Sequence, residues 1–138
     1  MQFKSSNTII SLIFFKTLFV VNLFSQQVEI RFNHLSINDG LSQSTVYCIL
    51  QDNQGYIWAG TQDGLNKFDG YSISQYKHQI DDENSLTNSY INALCKSKDG
   101  FWIGTQRGGL NFYNEQNKSF KHISLPGNLN NAEITKVI

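Results

Sequence analysis

Basic and acidic residues balance in this 138-residue chain, at 11 each, so no surplus of positive charge marks a nucleic-acid binder. A single proline, ten glycines and 13% aromatic residues argue against a linker or a disordered tail and imply that there is something to bury. Two cysteines are too few for a zinc site.

Residues 1–25 differ in kind from the remainder of the chain. Lys4 lies in a polar start, residues 9–24 are almost wholly apolar, and Ser25-Gln26-Gln27 comes next. This is the layout of a secretory signal peptide cleaved after Ser25. A retained membrane anchor fits less well, because it needs about 20 uninterrupted apolar residues and Lys16 breaks the run. The expected mature chain is 26–138, mildly acidic and exported to a compartment that permits disulfides. Even so, Cys48 follows Val46 by two residues and Cys95 follows Ile91 by four, although Val46 and Ile91 are equivalent. The two thiols therefore read as small buried hydrophobes rather than a bridge.

Self-similarity governs residues 26–138. The string Gly-Tyr-Ile-Trp-Ala-Gly-Thr-Gln-Asp-Gly-Leu at 55–65 returns as Gly-Phe-Trp-Ile-Gly-Thr-Gln-Arg-Gly-Gly-Leu at 100–110, with Trp58 and Trp102, Gly60 and Gly104, and Thr61 and Thr105 each 44 residues apart. Short apolar segments punctuated by turn residues read as strands. In the first unit they fall at 46–51, 56–61, 65–68 and 72–77, and in the second at 91–96, 101–105, 110–113 and 119–123. Glycines in the intervening turns supply the positive φ that tight hairpins need, so neighbouring strands should be antiparallel.

The second strand is apolar on both faces, with Tyr56 and Trp58 pointing one way and Ile57 and Ala59 the other. Each small sheet must therefore be covered on both sides. Gly60 and Gly104 would permit close approach between neighbours. Four strands per unit of this length, packed radially, predict an all-β chain of β-propeller blades. Residues 31–37 align with the last strand of the second unit and read as a lone blade-closing strand within 29–37. Residues 129–138 resemble 86–95 and read as the first strand of a third blade. The expected organisation is repeats at about 44–78, 86–125 and 129–138, a truncated propeller of two blades and fragments.

No catalytic, cofactor-binding or metal-binding group is expected, and the chain by itself is not expected to be an enzyme. His34, His78 and His122 recur at intervals of 44 and read as one position in successive outer strands, held apart by the blade spacing. Asp52, Asp63, Asp69 and Asp99 all sit at turns, where aspartate hydrogen-bonds its own backbone. Trp58, Trp102, Tyr56 and Phe101 could stack on sugars, but their matched positions favour packing between blades. Loops at one end of the blades are the expected ligand contact. The candidates are Gln62, Asp63, Gln106 and Arg107, whose charge differs most between the units.

The segment from Phe32 to Ser42, then 46–52, 55–61, Asp63-Gly-Leu-Asn66 and Phe68-Asp-Gly-Tyr71, resembles the start of the two-component regulator propeller. The second copy, 100–105 with Gly108-Gly-Leu-Asn111, is similar to the next blade of that family. The resemblance spans residues 32–138, with Ala59 standing where the family usually has a larger aliphatic residue. It implies the periplasmic sensor region of an inner-membrane-anchored, often hybrid, sensor histidine kinase. Further implications are an oligosaccharide ligand, the remainder of the propeller and the kinase as partners in a longer chain, and a homodimer of the full-length sensor. The alternative is an exported propeller used only to bind a ligand or protein, or one coupled to another output such as a diguanylate cyclase.

Overall fold

In the computed structural model the described residues are 29, 32–127, 129 and 132–137. The expected signal peptide lies outside them. Two units divide the chain, Met1–Asn33 and His34–Ile138, and nearly all of the described residues belong to the second. No described helix is long and apolar enough to cross a membrane.

Eight strands occur in chain order: β1 (Val46–Gln51), β2 (Ile57–Thr61), β3 (Gly64–Phe68), β4 (Ile73–Tyr76), β5 (Ile91–Ser97), β6 (Gly100–Thr105), β7 (Leu110–Asn114) and β8 (Ser119–Ile123). They form two antiparallel four-stranded sheets with strand orders β1-β2-β3-β4 and β5-β6-β7-β8, as expected for two consecutive blades. Tight turns connect them because glycine sits where the backbone goes left-handed, as at Gly64 with φ 139°. A Cβ there would lie 2.9 Å from the Tyr76 carbonyl oxygen.

Register assigns every side chain to a face. In the first sheet Leu50, Trp58, Lys67 and Ser74 lie in one row, and Ile49, Ala59, Asn66 and Gln75 in the next. Successive residues of a strand alternate faces, so Cys48, Leu50, Trp58, Leu65 and Tyr76 share one face and Ile49, Ile57, Ala59, Phe68 and Ile73 the other. The Trp58 face packs on the second sheet. Trp58 is fully buried, with its ring centroid 4.9 Å from Phe101, 4.8 Å from Tyr113 and 5.4 Å from Tyr76. Tilted aromatic contacts of this kind add to the burial of apolar area. Leu94, Ile103 and Phe120 complete the second sheet's side of the core. The expected packing role of Trp58 and Phe101 is thus met.

Gly60 and Gly104 act as the sequence implied. A Cβ on Gly60 would lie 2.7 Å from Ile91 Cγ2, and one on Gly104 would lie 2.6 Å from Ile134 Cγ2. The segment that follows each blade, β5 in the first case and the extended residues around Ile134 in the second, therefore seats an isoleucine on the bare backbone of that blade. Cys48 and Cys95 are free thiols, in accord with their unequal places in the repeat. Burial pushes the Cys48 thiol up to about 11.

Three expectations change. The strand foreseen within 29–37 is not formed among the described residues; Ile37–Asp39 is a 3-10 turn instead. The Ser36 hydroxyl accepts from Asn38 N, and the Asp39 carboxylate accepts from Ser36 N at 2.8 Å. This local capping box satisfies the backbone where no strand lies alongside. In the segment foreseen as the first strand of a third blade, residues 132–137 carry no strand assignment. They still reach blade two, since Ile134 N donates to Thr105 O at 3.0 Å and Gly109 N donates to Ala132 O at 3.1 Å.

The third correction concerns the histidines. Phe68 pairs with Ile73, whereas the equivalent Tyr113 pairs with Phe120 across a longer hairpin. Residues of the two outer strands that match in sequence are therefore not matched in space. Asn66 faces Gln75 while Asn111 faces His122, so Gln75 holds the place of His122. His78 lies beyond the end of β4, and the interval of 44 is not a structural repeat at these residues.

Candidate functional site

The β2–β3 and β6–β7 turns leave the same end of their sheets as the connection that runs from β4 to β5. A polar network repeats there in both blades. In blade one the Asn66 side chain accepts from Ser42 N at 2.8 Å and donates to Ser42 Oγ at 2.8 Å. In blade two Asn111 accepts from Thr87 N at 3.1 Å and donates to Thr87 Oγ1 at 2.7 Å. Thr61 Oγ1 donates to Gly64 O at 2.9 Å, and Thr105 Oγ1 donates to Gly109 O at 3.0 Å.

Both asparagines and both threonines are buried, as are the leucines that precede the clamped residues, Leu41 and Leu86. Buried amides and hydroxyls stay only where each finds a partner. The network thus ties the entry segment of each blade to its middle strand. Asn66 and Asn111 end the motifs that carry the family resemblance, but sequence reasoning assigned neither of them a role. The signal was available in the recurrence of Leu-Asn at 65–66 and 110–111 and of Leu-Ser and Leu-Thr at 41–42 and 86–87.

On this scaffold the four candidate residues separate. Gln62 and Asp63 are exposed, and the Asp63 carboxylate pairs with Lys77 Nζ at 2.7 Å. Gln106 is half-buried, and its N–H donates to Tyr90 O at 2.9 Å. Arg107 is exposed and holds a left-handed backbone at φ 60°. Gly108 follows it where a Cβ would lie 2.7 Å from Asn88 Cβ and 2.9 Å from Thr87 Oγ1, so only glycine lets the turn pack on the β4–β5 connection.

Arg107 alone of the four borders a cleft of about 340 Å³, which it lines with His78, Thr87, Gly108, Leu110, His122, Ile123 and Ser124. That volume falls within the range of small-ligand sites, about 300–1,000 Å³. The cleft brings together the two histidines that the repeat seemed to hold apart. His78 Nδ1 lies 2.6 Å from Leu86 O and His122 Nε2 lies 2.8 Å from Ser85 O. A carbonyl only accepts, so those two nitrogens carry the hydrogens. His34 does not line this cleft.

Turn aspartates behave as expected at Asp69, which accepts from Tyr71 N and Ser72 N. These bonds with the Ser72 backbone, the Tyr71 backbone and the Ser72 hydroxyl hold its carboxyl below the usual range. Asp52 does more. It is buried, accepts from Gln54 N and Tyr56 N through Oδ1, and takes the Trp58 indole N–H on Oδ2 at 2.8 Å. Among the described residues no group of three or more His, Cys, Asp or Glu side chains could hold a metal ion.

Two four-stranded antiparallel sheets, linked in sequence and stacked with the Trp58 face of one on the Phe101, Ile103 and Tyr113 face of the other, are consecutive blades of a β-propeller. The family model described as two component regulator propeller matches residues 40–63 and 85–107. One matched segment falls in each blade. It is 40% identical over 79 residues to "Histidine kinase P4" of Formosa agariphila, which covers 57% of this chain and 6% of that protein. It also superposes, with a TM-score of 0.61 and 37% identity, on the extracellular domain assigned to a hybrid two-component system of B. thetaiotaomicron. That match covers 70% of this chain and 14% of the solved one. The chain therefore spans only a small part of the proteins it resembles.

Proposed function

We propose that this chain is part of the exported sensory propeller of a two-component system. In this reading the blades bind an oligosaccharide in the periplasm, and occupancy passes to a histidine kinase in a longer protein. The observation that carries it is the pair of family-matched blades, similar over most of their length to the extracellular domain of a hybrid two-component system. The blades themselves supply a rigid scaffold that presents loops at one end, as binding modules do. Kinase chemistry has no place on them, and a purified chain incubated with labelled ATP is expected to remain unlabelled.

The test has two parts. Alkaline phosphatase fused after Ile138 should be active in cells, because that enzyme matures only outside the cytoplasm; an inactive fusion would refute export. The transcript downstream of Ile138 should encode further blades, a membrane-spanning helix and kinase motifs. A stop codon directly after more blades would count against the kinase connection and favour a propeller used for binding alone.

A further inference from the structure

We propose that the cleft beside Arg107 receives an acidic sugar unit, a pyranose that carries a carboxylate or a sulfate. This rests on the reading of the propeller as a saccharide sensor and adds the class of saccharide and the residue that selects it.

Charge is the first observation. No aspartate or glutamate lines the cleft. Among the described residues the Arg107 guanidinium takes no hydrogen bond and no ion pair, whereas at the equivalent turn of blade one Asp63 is neutralised by Lys77. An arginine presents a planar fork of donors that matches a carboxylate or sulfate in two parallel bonds.

Backbone geometry is the second. Arg107 holds φ 60° although two glycines follow it directly in the same turn. A side chain in the left-handed region is uncommon and costs free energy, and such outliers gather at ligand sites. The turn is fixed on both sides of Arg107, before it by the bond from Gln106 N to Tyr90 O and after it by the two glycines. Gly108 fills the only space left against Thr87 and Asn88, and Gly109 N is bonded to Ala132 O. Strain is thus accepted at the one residue whose charged side chain borders the cleft.

The remaining lining suits a sugar ring. Each histidine is anchored through one nitrogen, which leaves Nε2 of His78 and Nδ1 of His122 as acceptors for hydroxyl groups. Leu110 and Ile123 add apolar surface for the C–H face of a pyranose.

The test uses the full chain immobilised at low density and surface plasmon resonance with glucuronate, glucose 6-sulfate, glucose and inorganic sulfate. Glucuronate or glucose 6-sulfate, or both, should bind at least about tenfold more tightly than glucose, a difference of about 1.4 kcal/mol. Whichever of the two binds identifies the anion. Arg107→Gln should reduce that ligand to the level of glucose, and Arg107→Lys should retain part of the preference. Arg107→Gly should raise the melting temperature by relieving the left-handed strain while abolishing the preference, an outcome that a purely structural role does not give. Equal binding of glucose and glucuronate would overturn the acidic-sugar assignment and leave saccharide sensing standing. Binding of inorganic sulfate as tight as the acidic sugars would overturn it in favour of a plain anion site. If none of the three sugars binds, the assignment falls, and the sensor reading stands or falls with binding of neutral oligosaccharides to the same surface.

Discussion

Asp52 shows how much one side chain at a hairpin can hold. Its two oxygens accept three hydrogens, two from the turn it begins and one from the indole of Trp58. That indole is the centre of the aromatic cluster between the blades. Removing the carboxylate leaves a buried N–H without an acceptor, which costs about 1–3 kcal/mol beyond the loss of the turn bonds. Asp52→Ala is therefore expected to lower unfolding stability by about 2–4 kcal/mol, measured by urea denaturation with tryptophan fluorescence. Asp52→Asn, which keeps an acceptor oxygen, should lose less than half of that. An equal loss for both would show that the charge, rather than the indole bond, matters. Blade two has Ser97 in the place of Asp52, so the device belongs to the first blade and is not a property of the repeat.

At the scale of the element, the asparagine clamp decides how firmly each blade holds its entry segment. Asn111→Ala removes both bonds to Thr87 and leaves a half-buried backbone N–H without its acceptor. The expected consequence is about a hundredfold or greater acceleration of hydrogen exchange at Thr87, with little change at amides in the middle of β6. Uniform acceleration across the sheet would mean that the clamp is part of the global core instead. The strands themselves were legible because glycine and asparagine mark nearly every turn: β1 and β8 fall where the alternation and turn residues put them, and the others differ by one residue at one end or, for β4, at both. The clamp left a trace in the recurring Leu-Asn and Leu-Ser or Leu-Thr pairs, but which residues it joins was not legible, since the partners lie far apart in sequence and meet only when the sheet has formed. The histidine spacing misled for a related reason. The longer hairpin between β7 and β8 shifts the outer strand of blade two, and an interval counted along the chain cannot register that shift. Of the site, Arg107 was found from the charge contrast between repeats, while its neighbours His78 and His122 converge only through the β4–β5 connection.

At the scale of the whole molecule, among the described residues each sheet has one face that does not meet the other sheet. Ile49, Ile57, Ala59, Phe68 and Ile73 on blade one occupy the places that Leu94, Phe101, Ile103, Tyr113 and Phe120 hold on blade two. The second set is covered by blade one. The first lines an apolar groove together with Leu35, Leu41 and Val46, and Ile49 is 67% exposed. Contiguous apolar surface of this kind drives association. Residues 26–138 alone are expected to self-associate at micromolar concentration, and Ile49→Glu should shift the sedimentation profile toward monomer. A wild-type fragment that sediments as a single monomer with a sharp thermal transition would contradict this expectation.

The contacts of Ile91 with Gly60 and of Ile134 with Gly104 carry an implication for biosynthesis. Each blade is closed over its bare glycine by a residue from the start of its successor, so a ribosome that has just finished one blade has not yet supplied the piece that seals it. Sealing of each of these two blades therefore waits on the segment that follows it in the chain. A Gly104→Val change would be felt at this joint between units before it was felt inside either one.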